Sequence, residues 1–96
     1  MSQIKRKKLS KIRSELDKLD NTLIKVIKKR TVLVNKVLAL KDKKNQIVDQ
    51  RRIKLILKNI KKKSIQNKID PKITNRIWKN MIWSYIDYEK RNFKKR

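Results

Sequence analysis

LSKIRSELDKLDNTLIKVIKKRTVLVNKVLALK, residues 9–41, decides how the chain folds. Its apolar side chains fall at Leu9, Ile12, Leu16, Leu19, Leu23, Val26, Leu33, Val37 and Leu40, in steps of three and four. That spacing is the seam of one long amphipathic helix that packs against others. Between Val26 and Leu33 the seam calls for an apolar residue and has Arg30 instead. A guanidinium on a core-facing position needs an anionic partner that apolar neighbours cannot supply. On a continuous helix Lys41 would lie about three turns further, ~16 Å along the axis and on roughly the same side. Two cations are thus expected to reach into one interior groove.

Working outward, a helix of ~33 residues would be ~50 Å long, longer than a small domain is wide. The 96 residues are read as a single helical domain, 1–96, with a marginal core of its own, so much of the seam is expected to pack on a second chain. Residues 1–8 are basic and polar, with Ser2 as a cap; they either extend the first helix or fray. With neither cysteine nor histidine there is no disulfide framework, no thiolate chemistry, no common metal ligand set and no imidazole base. No cofactor or metal is expected. No apolar run has the length of a membrane span or a signal core, so a soluble, cytoplasmic protein without membrane partners is expected.

The formal charge of +23 invites a nucleic-acid or anionic-membrane reading. Against it, 23 of the 31 basic residues are Lys, Gly is absent, Ala occurs once, and Ile and Asn abound, the signature of an AT-rich coding bias. The few aromatics cluster late on one helix and are not interleaved with basic residues, so no stacking platform for single strands is visible. No specific nucleic-acid partner is expected. In a chain that fills cationic positions with Lys, an Arg in an apolar seam points to planar, bidentate recognition of carboxylate or phosphate.

Further along, the first helix is expected over about residues 9–43, with Lys41, Lys43 and Lys44 at its negative end and Asn45 able to take the left-handed conformation that stops it. Residues 42–49 read as a polar loop. Asp49 caps a second helix over about 50–65, with Ile53, Ile56, Leu57 and Ile60 inward; Lys61–Lys63 read as its solvated end, not a binding patch. Asp70-Pro71 is an N-cap followed by proline at the first helical position. A third helix over about 71–93 follows, with Ile73, Ile77, Trp78, Met81, Ile82, Tyr85 and Phe93 toward the core and Trp83-Ser84-Tyr85 read as packing. Glu89 interrupts that face as Arg30 interrupts the first. The fold class is all-α, a three-helix protomer with one long N-terminal helix.

The interior polar residues are then Arg30, Lys41, Arg52 and Glu89, with Arg13 near the start of the first helix. Arg13 is ~25 Å from Arg30 along the helix and about 100° around it, so the two cannot share a small ligand in one chain. An antiparallel partner helix would bring Arg13 back. At this point the sequence resembles the all-helical chorismate mutases. The resemblance rests on Ile12-Arg13-Ser14-Glu15-Leu16-Asp17-Lys18-Leu19-Asp20, then Arg30 ten residues later, Lys41, the Asp49-x-x-Arg52 step and the Asp70-Pro71 start of the third helix. It covers about residues 9–93.

The resemblance implies an intertwined antiparallel homodimer with two active sites shared between chains. It makes Arg13 the residue lent by the other chain and Arg30 the resident one, both holding substrate carboxylates. Lys41 would contact a carboxylate and the breaking ether oxygen, Arg52 would shape the carboxylate pocket, Asp49 would lie near the ring hydroxyl, and Glu89 would face the ether oxygen beside Tyr85. The implied reaction is the Claisen rearrangement of chorismate to prephenate, toward phenylalanine and tyrosine. Two features depart from the mutase pattern. Arg52 is followed by Ile53 where many mutases have a ring-binding Glu, and the third helix is aromatic; both are shared with isochorismate-pyruvate lyases, so the alternative reading is such a lyase or a mutase of a chorismate analogue, with a basic helical nucleic-acid-binding protein as the further alternative. Position 89 is commonly Gln in bacterial mutases and Glu in fungal ones.

Such chemistry suits a chain without His or Cys. A pericyclic rearrangement needs no nucleophile and gives no proton to the enzyme. Catalysis can come from folding a flexible dianion into its reactive shape and placing cations where negative charge grows.

Overall fold

The computed structural model describes residues 1–94. In chain order these form α1 (Gln3–Ala39), a 3₁₀ turn (Lys44–Gln46), α2 (Gln50–Gln66) and α3 (Pro71–Asn92), with no strand among the described residues. The expected all-α fold with one long first helix is found. The chain divides into two compact units, one ending at Leu33 and one beginning at Val34.

In the first unit the helix starts at Gln3, so residues 3–8 extend it and do not fray. Ser2 is the reason: its Oγ accepts from Lys5 N at 3.2 Å and its carbonyl from Arg6 N at 2.9 Å, satisfying two of the amide donors a helix start leaves open. The apolar seam forms, but it is uncovered within the chain. No residue of α1 is buried, and Leu19 and Leu23 are 61% and 56% exposed.

The second unit holds the core. The last turn of α1 tightens to three-residue bonds, Leu40 N to Val37 O and Lys41 N to Leu38 O, and the helix stops at Ala39, four residues short of the expected end. Asn45 takes no left-handed conformation; the one positive φ outside glycine among the described residues is at Lys68. Instead the Gln46 side chain closes the turn by accepting from Asp42 N (2.8 Å) and Lys43 N (2.9 Å). The next residue, Ile47, read as part of a polar loop, is the most buried apolar side chain of the described residues, 3% exposed. With Ile82 and Ile86 it makes the core, against which Leu38, Ile53, Ile56, Leu57 and Phe93 pack.

α2 begins as expected at Asp49, whose carboxylate accepts from Arg52 N at 3.0 Å. It runs on through the lysine run to Gln66, because Lys68 N bonds Ile65 O and Ile69 N bonds Ser64 O, a Schellman closure with Lys68 at φ 56°. Buried Ser64 places its Oγ 2.6 Å from both Ile60 O and Thr74 Oγ1, fastening α2 to α3. α3 starts at Pro71, with Asp70 accepting from Lys72 N at 2.9 Å. Its inward line is Ile82, Ile86, Glu89 and Phe93. Ile73 and Ile77, expected in the core, are 56% and 51% exposed. Nine residues separate Ile73 from Ile82, which at about 100° per residue puts them on opposite sides of the helix.

Candidate functional site

Glu89 lies on the core line of α3, one turn beyond Ile86, and is only 6% exposed. A carboxylate there requires a partner, and it has Lys41, whose Nζ stands 3.2 Å from Glu89 Oε1. The Lys41 side chain is itself largely shielded, and its Nζ also donates to the carbonyl of Ile47 at 3.5 Å, a long bond. One residue thus anchors the loop through its side chain and orients the ammonium through its backbone. The expectation that Lys41 continues the helix of Arg30 is corrected: it leaves from the segment after Ala39, and the tightened turn and the buried Ile47 aim it at α3.

Beside this pair, Tyr88 donates from its hydroxyl to Asn35 Oδ1 at 2.9 Å, a second polar tie between the end of α1 and α3. The Tyr88 ring meets Tyr85 edge-on, with centroids 6.5 Å apart and planes at 90°. Tyr85 is half-buried one turn before Glu89. Lys41 also lines an open cleft of about 450 Å³ with Asn35, Leu38, Asp42, Asn92 and Phe93, a size suited to a small molecule. Neither Asn35 nor Tyr88 stands out in the sequence; Asn35 is a lone amide between Val34 and Lys36.

The remaining expected residues are placed less uniformly. Asp49 and Arg52 are brought together, but as a helix cap, with the carboxylate on the backbone amide. Both are exposed, so Arg52 is not interior as expected; it lies in the first turn of α2. In the first unit, Arg30 is partly buried, and its Nε is shielded from solvent with no hydrogen-bond partner among the described residues. A buried donor left unpaired costs about 1–3 kcal/mol. Arg13 is exposed. Among the described residues no three His, Cys, Asp or Glu are grouped to hold a metal, and no helix is long and apolar enough to cross a membrane.

The fold and this arrangement define an all-helical protein whose second unit offers a shielded ammonium paired with a carboxylate. A family model described as chorismate mutase type II matches residues 12–90, and the chain belongs to that family. No curated protein and no solved structure matches it.

Proposed function

We propose that the protein is a chorismate mutase, converting chorismate to prephenate by Claisen rearrangement in phenylalanine and tyrosine biosynthesis, in the cytoplasm and without a cofactor. The observation that carries this reading is the shielded Lys41–Glu89 pair, inside a chain that the family model matches across both Arg13 and Arg30. Lys41 and Arg30 are assigned to the substrate carboxylates, Lys41 also to the ether oxygen as negative charge grows there. Glu89 donates a hydrogen bond to that oxygen, Tyr85 packs beside it, and Asp49 and Arg52 border the pocket.

A second copy of the chain completes the site. The uncovered seam of α1 supports this: Leu16, Leu19, Leu23 and Val26 form an apolar stripe, each more than half exposed, that an antiparallel copy would cover. The same arrangement brings Arg13 of the other copy to the resident Arg30. One observation favours a second reading, isochorismate-pyruvate lyase: Ile53, next to Arg52, packs against the core and offers no carboxylate to a ring hydroxyl. The test is to incubate purified protein separately with chorismate and isochorismate. Prephenate from chorismate supports the mutase, salicylate and pyruvate from isochorismate the lyase, and loss of neither substrate rejects both.

A further inference from the structure

Among the described residues the basic side chains form two ion pairs, Lys41–Glu89 and Arg91–Asp87. From Val34 onward there are twenty basic residues against five carboxylates. Four of those five are already engaged: Asp49 and Asp70 cap helices, and Asp87 and Glu89 are paired. α2 carries seven basic residues and no acidic one, and all seven are exposed. Where α2 meets the start of α3, Lys58, Lys61 and Lys72 line one groove with Leu57, Pro71 and Asn75, again without a carboxylate. A coding bias toward Lys accounts for the choice of Lys over Arg, but if that were all, removing these lysines would leave catalysis unchanged.

We propose that this uncompensated charge is a capture device for a small dianionic substrate, raising the rate of productive encounter while taking no part in the chemical step. The inference rests on the proposed function for the substrate's charge. A field of one sign around a site concentrates oppositely charged ligands and speeds association by about 10- to 1000-fold, an effect that salt removes. The range is set by screening, ~30 Å at 0.01 M ionic strength and ~8 Å at 0.15 M. Lys58, Lys61 and Lys62 lie six to ten residues beyond Arg52, ~9–15 Å along α2, outside contact with a ligand at its start but within reach of its charge. Each acting on a dianion through water at ~15 Å changes its local concentration about twofold at 0.01 M. Together the three are worth about fivefold there and less than twofold at 0.15 M.

The experiment compares the wild-type chain with a Lys58→Gln/Lys61→Gln/Lys62→Gln variant, and with the matching triple Arg variant, at ~0.01, 0.15 and 0.5 M ionic strength. The expected result is an unchanged kcat, a kcat/KM about fivefold lower for the Gln variant at the lowest ionic strength, convergence of all three proteins at the highest, and full rescue by Arg. Equal kcat/KM at low ionic strength, or a deficit that persists at high ionic strength or in the Arg variant, overturns the inference and leaves the mutase reading standing. No turnover of chorismate or isochorismate by the wild type at any ionic strength overturns both.

Discussion

Lys41 Nζ stands 3.2 Å from Glu89 Oε1, and the two charges meet against the side that Ile47, Ile82 and Ile86 keep dry. In the chain without substrate, Glu89 is therefore an acceptor. A group that assists departure of an ether oxygen must instead donate, and a carboxyl can do so only when it carries a proton.

The chemistry of the side chain at position 89 can be tested directly. Glu89→Gln keeps the shape and supplies an amide donor, and should hold or raise kcat, whereas Glu89→Ala supplies no donor and should lower it. The measurement is kcat for both variants beside the wild type under one set of conditions. Equal rates for the Gln and Ala variants would remove Glu89 from the ether oxygen.

Arg30→Lys should be far from conservative. The Nε of Arg30 is shielded and unpaired among the described residues, and a fork that binds a carboxylate through two parallel bonds has no equivalent in an ammonium. The expected loss is about 2–4 kcal/mol of transition-state stabilisation, or about 30- to 1000-fold in kcat/KM. A Lys variant within threefold of wild type would make Arg30 a structural residue.

If sites draw Arg13 and Arg30 from different chains, two inactive variants should complement each other. Arg13→Ala and Arg30→Ala proteins, mixed under conditions that exchange subunits, should regain part of the wild-type activity through mixed dimers holding one intact site. Exchange shown by mass spectrometry without any recovery would mean that each chain works alone.

Lys68 closes α2 at φ 56°, a conformation that costs a side chain with a Cβ but not glycine. Lys68→Gly should therefore raise stability by about 0.5–1 kcal/mol, read as a higher urea midpoint with the slope unchanged. A lower midpoint would show that the Lys68 side chain contributes more than its backbone conformation costs.

What the sequence made legible was whatever is written locally. Asp49 and Asp70-Pro71 mark their helix starts because capping needs one side chain and the next few amides. Glu89 was readable because seven residues bring it back to the face of Ile82. Ile47 was not: it sits alone among polar neighbours, and its burial depends on how the turn before it closes onto Gln46. Ile73 and Ile77 were misread because apolar character was followed along α3 past the point where the helix had rotated them to the far side. Arg52 was taken as interior from its place after a cap, yet the first turn of α2 faces solvent there. Lys68 gave no signal, since nothing about a lysine announces a left-handed residue.

The bare seam of α1 sets a condition on every measurement made with this protein. Fixing a residue's backbone costs about 1–2 kcal/mol of chain freedom, and a thirty-seven-residue helix with no buried side chain recovers little of it from tertiary packing within its own chain. Order in α1 must then follow what covers it, and if that is another copy, order follows protein concentration. Helical content, resistance of the Leu16–Val26 stretch to proteases, and specific activity should share one dilution curve and decline together. Enzyme assayed in the nanomolar range and enzyme studied spectroscopically in the micromolar range would then be different populations of the same chain.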